Sequence, residues 1–205
     1  MKKELTKRKL QSRESRKRIF DTAIRLINKK GFENVTIEEI STEAKVSIGL
    51  FYNYYPSKHH LVAEQFLVID EWYKEIVERE LRNVSGLERL LKFSGLQFKY
   101  IQYRMNKNFL RSILRSLIMT DKTGLITLNE SRYLYAFLTE TVTKAQERGE
   151  LPKRVDTREI VSHLSILIRG MLYNCCLYEG DFNIQEVGLR IISAYLKGLN
   201  AEVDS

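Results

Sequence analysis

The sequence predicts an all-α protein, and three observations carry that expectation. Apolar residues recur every three to four positions, and no stretch alternates with period two over the length of a strand. Only two of the 205 residues are proline, Pro56 and Pro152, so the chain from 57 to 151 is free of the strongest helix breaker. No Asn-Gly pair offers a tight hairpin turn. The spacing gives about nine helices, with no internal repeat and no low-complexity linker.

Each element has a local reason. Ile19, Phe20, Ala23, Ile24 and Ile27 form one apolar stripe, ended by Gly31, a left-handed cap after Lys29 and Lys30. Thr36 followed by Glu39 is a capping box opening a short helix with Ile37, Ile40 and Ala44 inward. Ser47 opens a second short helix, with Leu50, Phe51 and Tyr54 spaced to pack inward. Ser57, after Pro56, is placed to cap a long helix carrying Leu61, Phe66, Ile69, Tyr73, Ile76 and Leu81. Further helices read at 86–104, 107–119, 127–148, 157–179 and 183–199. Start signals stand at Thr127 with Glu130, Asp156 with Glu159, and Asn183 with Glu186; Gly149 and Gly180 mark stops. The division expected is a basic arm over 1–12, a three-helix head over 13–60, and a larger helical domain over 61–205.

Composition narrows the class. A chain of this mass, folded compactly, buries about 25,000 Å², so a core forms without disulfides or metal. The hydrophobic fraction is 43%, against disorder, and no unbroken apolar run approaches the ~18 residues of a bilayer span. The N-terminus is basic but lacks the apolar stretch of a secretory signal, and the two cysteines, Cys175 and Cys176, are adjacent. These features place the protein in the cytoplasm and argue against secreted, disulfide-stapled and membrane-embedded classes. Charge is uneven: residues 1–60 hold 14 Lys/Arg and 7 Asp/Glu, whereas residues 61–205 hold 20 and 19. A local positive excess suits a polyanion, either nucleic acid or an anionic membrane surface.

The stretch 36–55 favours nucleic acid. Two short helices are joined by a three-residue turn, Lys45-Val46-Ser47, which is the spacing of a helix-turn-helix. Ile40, Ala44, Val46 and Phe51 stand where the two helices must touch. Ser47 caps the second helix, and Gly49 removes a side chain where a backbone would approach closely. Tyr52, Asn53 and either Tyr54 or Tyr55 form the expected exposed set, with Lys58 beside them as a phosphate clamp.

Residues 16–67 resemble the DNA-binding domain of TetR-family (tetracycline-repressor-like) transcriptional regulators. The resemblance rests on Gly31-Phe32, Thr36, Val46-Ser47, Gly49, Tyr52, Tyr54 and Pro56-Ser57-Lys58 at their offsets. It implies phosphate contacts from Thr36, Ser47, Tyr52 and Lys58, with Ile48, Leu50 and Asn53 facing the groove. Ile48 and Leu50 depart from the polar residues frequent at those positions, which points to apolar contact with a thymine methyl. Lys45 stands where the family often has glycine. Leu167 to Leu172, Glu179 to Phe182 and Ile191 to Leu199 resemble the family's last two helices, which pair across a two-fold axis. The residues support that independently: 160–178 is apolar on more than one face, and Gly170, Gly188 and Gly198 sit inside helices where close packing would explain them. Leu164, Ile168, Met171, Leu172, Cys175, Ile191 and Tyr195 are the expected homodimer contacts.

The resemblance further implies a cavity for a small effector in the larger domain, with Trp72, Phe98, Tyr103, Phe109, Met119, Tyr133, Phe137 and Tyr173 as candidate walls for an apolar or flat molecule. His59, His60 and His163 show no metal-ligand spacing, Cys175-Cys176 reads as two small buried hydrophobes, and no phosphate-binding loop or nucleophile elbow is present. No metal, cofactor or enzymatic activity is expected. The resulting expectation is a ligand-responsive regulator, a repressor, that binds a palindromic operator as a homodimer. The alternative is a basic helical protein on a membrane surface or a protein partner, which would not need the turn motif.

Overall fold

The computed structural model describes residues 7–119, 132–178 and 182–200, without the side chains of Lys7, Ala63 and residues 116–119. The start signal at Thr127 and Glu130, the stop at Gly180, residues 1–6 of the basic arm and the Met119 side chain lie outside the described residues. Among those described, there are nine α-helices and no strand: α1 (Lys7–Lys30), α2 (Ile37–Glu43), α3 (Ile48–Tyr54), α4 (His59–Glu80), α5 (Gly86–Arg104), α6 (Lys107–Met119), α7 (Tyr133–Glu147), α8 (Thr157–Leu177) and α9 (Ile184–Gly198). Residues 7–12, expected in the arm, belong to α1; they contain neither glycine nor proline and simply lengthen the helix.

The described residues form two compact units, 7–66 with 106–119, and 67–105 with 132–178 and 182–200. In the first, Ile19, Ala23, Leu26 and Ile27 of α1 are buried with Ile40, Ala44, Phe51 and Leu61. Helix α6 packs on α1 in this unit, burying Phe109, Leu110 and Ile113, whereas the sequence division grouped it with the rest of 61–205. Asn108 of α6 donates to the Asn28 carbonyl at 3.4 Å, and Arg115 pairs with Glu33 at 3.3 Å. Helix α4 supplies His59–Phe66 to this unit and Leu67–Glu80 to the other.

In the second unit α5 packs against α7 and α9, and α8 packs against α7 and α9. Asp156 caps α8 by accepting from the Arg158 amide at 2.8 Å. Asn183 caps α9 by accepting from the Glu186 amide at 3.1 Å. Ser57 does not cap α4 in the expected way; its hydroxyl meets the His60 ring at 3.0 Å, and α4 begins at His59. Six rings run in sequence through this unit's interior: Tyr100 on Trp72 (4.2 Å between centroids), then Tyr73, Phe93 and Phe137 (4.3 Å from Phe93), then Tyr133. Beside them Arg132 grips Asp70 through two hydrogen bonds, 2.7 and 2.9 Å, with both side chains 7% exposed. Gln97 donates to the Tyr73 hydroxyl at 2.6 Å, and burial pushes that phenol up to about 12.

Two expectations change here. Gly188 is indeed a close approach, but within the chain: an added Cβ would lie 2.6 Å from the ring of Phe98, whereas one at Gly170 or Gly198 would meet nothing within 4 Å among the described residues. And α8, though it holds no unbroken apolar run, is long and apolar enough by composition to cross a membrane, with mean hydropathy 1.4 and 44% of that window buried. Ser162, His163, Ser165 and Arg169 interrupt the run without lowering the average below that mark.

Candidate nucleic-acid interface

The site is built from the turn outward. Helix α1 stops where Gly31 turns left-handed, φ +82°, and returns its amide to the Ile27 carbonyl at 2.8 Å. Thr36 is extended and accepts from the Glu39 amide at 3.1 Å, the first half of the capping box. The Glu39 carboxylate does not return the favour; it pairs with Lys30, tying α2 back to α1. Helix α2 ends in a Schellman motif: the Val46 amide reaches the Ser41 carbonyl at 2.9 Å and the Lys45 amide reaches Thr42 at 3.1 Å. That closure requires a left-handed residue, and Lys45 supplies it at φ +53°. Ser47 then caps α3, accepting from the Leu50 amide at 3.1 Å.

Packing decides which residues remain outside. Ile40, Ala44 and Phe51 are fully buried, so α2 and α3 are locked to one another and to α1. Arg18 of α1 donates to the Ala44 carbonyl at 2.7 Å, and Arg25 pairs with Glu43. Thr36, Ser47, Ile48, Gly49, Tyr52 and Asn53 are all exposed, Ile48 by 43% and Tyr52 by 51%. Leu50 and Tyr54 are half-buried, and the Tyr54 hydroxyl shares a 3.0 Å hydrogen bond with Ser12 of α1. Ile48 and Tyr52, four residues apart, share one exposed face at the capped start of α3, which makes this face the candidate site.

Two members of the expected set are placed otherwise. Tyr55 is not an exposed alternative to Tyr54: it is 1% exposed, its hydroxyl donates toward the Arg16 carbonyl at 3.5 Å, and burial raises its pKa. Lys58 is half-buried, with its ammonium 2.6 Å from the carbonyls of both Phe32 and Val35 and 4.4 Å above the Phe32 ring; burial lowers its pKa. Sequence reasoning missed Arg18, whose ligand is a backbone carbonyl 26 residues away that no local pattern announces.

The expected effector walls do not converge. Trp72, Tyr133 and Phe137 stand in the ring series, joined by Tyr73, Phe93 and Tyr100, which the sequence did not single out as a group. Phe98 is fully buried against Gly188, Tyr103 and Tyr173 are 71% and 52% exposed, and Phe109 belongs to the other compact unit. The expected dimer contacts divide likewise. Leu164, Ile168, Met171 and Cys175 are already buried by this chain alone, whereas Leu172, Ile191 and Tyr195 are half-buried. Cys176 is half-buried, so only Cys175 is a buried small hydrophobe. The outward side of α8 is instead Ile166, Gly170, Tyr173 and Leu177, spaced by three and four.

Two capped short helices locked at a left-handed turn, with an exposed second helix start, define a helix-turn-helix protein of the DNA-binding kind. Residues 19–64 match the sequence profile described as bacterial regulatory proteins, tetR family. YerO of Bacillus subtilis (strain 168), described as an uncharacterized HTH-type transcriptional regulator, is 29% identical over 187 residues, 87% of this chain and 62% of YerO, so the match spans less than two thirds of that relative. The solved structure of Thermus thermophilus FadR, a TetR-family transcriptional repressor in complex with lauroyl-CoA, superposes with TM-score 0.76 at 22% identity over 93% of this chain and 97% of that one. FadR of Bacillus subtilis in complex with stearoyl-CoA gives TM-score 0.71 at 17% identity over 90% and 99%. The family match thus falls on the helix-turn-helix segment, residues 19–64, and the chain shares its overall fold with solved TetR-family regulators.

Proposed function

We propose that this protein is a cytoplasmic, ligand-responsive transcriptional repressor that binds a palindromic duplex operator as a homodimer and leaves it when a small apolar or aromatic effector binds. The observation that carries the reading is the exposed start of α3: Ser47, Ile48, Gly49, Tyr52 and Asn53 stand outside while Phe51 anchors the helix from within. Thr36, Ser47 and Tyr52 contact phosphate, and Ile48, Leu50, Asn53 and Tyr54 meet the groove. Dimerisation covers the outward side of α8, Ile166, Gly170, Tyr173 and Leu177, together with Ile191 and Tyr195 of α9, and sets two recognition helices about 34–36 Å apart.

The effector binds in the second unit, against the ring series from Tyr100 to Tyr133. The similar folds that hold lauroyl-CoA and stearoyl-CoA favour an apolar ligand. It acts by preferring a conformation whose recognition helices are wrongly spaced, since affinity without such preference shifts nothing. Helix α4 contributes residues to both units and is the continuous route between ligand and DNA. The test is selection of duplexes from a random pool, followed by footprinting with and without added lauroyl-CoA. The reading expects two symmetric half-sites and release by the acyl-CoA; failure to enrich any duplex would remove DNA binding, and enrichment without release would remove this effector class.

A further inference from the structure

Lys58 occupies the last position before α4, and its ammonium has three donors. Two are directed at the carbonyls of Phe32 and Val35, 2.6 Å each, in the connection between α1 and α2. The Phe32 ring lies 4.4 Å below the charge and is itself 6% exposed, with the His59 ring 4.9 Å away on its other contact. The Val35 carbonyl and the Thr36 amide share one planar peptide unit. Fixing that carbonyl therefore fixes the orientation from which Thr36 enters the cap of α2. Two of the three Lys58 donors are engaged within the chain, in contrast to Lys17 and Lys45, which are exposed and form no ion pair among the described residues.

We propose that Lys58 is a positioning residue for DNA recognition: its ammonium fastens the Phe32–Val35 connection to the start of α4, which sets the N-terminus of α2 in register with α3, and it does not itself contact phosphate. The inference rests on the DNA-binding reading above and replaces the phosphate role that the sequence alone suggests for this lysine. These contacts support the assignment, because an ammonium held against two carbonyls and a ring is poorly placed to follow a solvated phosphate backbone.

The experiment compares the unmodified protein, Lys58→Met and Lys45→Met on a duplex selected from a random pool, with affinity measured across a salt series. Amide hydrogen exchange over residues 32–39 is followed in the free proteins. For Lys58→Met the expected result is affinity about tenfold weaker at every salt concentration, a parallel salt line, and faster exchange over 32–39. A salt slope reduced by about 0.9 with unchanged exchange would make Lys58 a phosphate contact and overturn the proposal. Unchanged affinity per folded molecule, with stability alone reduced, would overturn it as well, leaving only a structural tie. If the unmodified protein binds no selected duplex, the DNA-binding reading fails, while the exchange arm still reports the tether. Should Lys58→Met not fold, the Lys58 ammonium resonance of the unmodified protein decides: slow proton exchange and no shift on adding duplex support the proposal, and a shift on adding duplex overturns it.

Discussion

Replacing Lys45 by glycine is expected to stabilise the protein. Lys45 sits at φ +53°, where the Schellman closure of α2 needs a left-handed residue, and its side chain is exposed and forms no ion pair among the described residues. An L-residue pays about 1–2 kcal/mol for that conformation, from the contact between its Cβ and the following carbonyl. Glycine avoids the contact but loses about 0.5–1 kcal/mol more backbone freedom on folding. The difference leaves a net gain of about 0.5–1 kcal/mol, which corresponds to a rise of about 1–4 °C in melting temperature for a chain of this size. Lys45→Val has the opposite sign, because a β-branched side chain aggravates the same contact, and a loss of about 1 kcal/mol or more is expected. Urea unfolding followed by circular dichroism, at one protein concentration and matched salt, reads both changes. A glycine variant less stable than the parent, or a valine variant equal to it, would refute the claim that the turn holds this position left-handed in solution.

The remaining predictions use the same unfolding assay. Gly188→Ala places a methyl 2.6 Å from the fully buried Phe98 ring; overpacking of about 1–3 kcal/mol outweighs about 1 kcal/mol of helix propensity, so the variant is destabilised. Gly170→Ala, where an added Cβ meets nothing within 4 Å among the described residues, gains chain stability, while the dimer proposed above on this face of α8 is expected to weaken, as sedimentation at several concentrations reads. Asp70→Asn removes the carboxylate that Arg132 grips in the core and costs about 3–5 kcal/mol, recovered in large part by a second change, Arg132→Met. Burial, reinforced by Lys58, lowers the pKa of His59 below its ordinary value of 6.5. The unfolded chain therefore takes up that proton first, and stability falls as pH drops below 6.5 until the folded value is passed; His59→Gln lacks this step.

Helix ends were the most legible feature of the chain because their signals are local. The bounds read for α5 and α6 coincide with Gly86–Arg104 and Lys107–Met119, and Asp156 and Asn183 cap as their side-chain chemistry suggests. The turn motif was legible for the same reason, since Thr36 and Ser47 act within three residues of themselves. What escaped was the choice among equivalent faces. Helix α8 is apolar on two sides, and spacing alone does not say that Leu164, Ile168, Met171 and Cys175 meet this chain while Ile166, Tyr173 and Leu177 do not. Tyr54 and Tyr55 differ by one position and by the whole depth of the core. Lys58 and Arg18 find backbone carbonyls 23 to 26 residues away, and a lysine in a basic segment looks the same whether its charge faces phosphate or peptide.

The account stands most directly on where a duplex touches the protein. Amide hydrogen exchange resolved by mass spectrometry, with and without a selected duplex, measures that. Slower exchange concentrated in residues 36–54 is the expected result, together with little change along α5 and α7. Tight binding of the duplex with residues 36–54 exchanging as before, and the slowing found elsewhere, would contradict it.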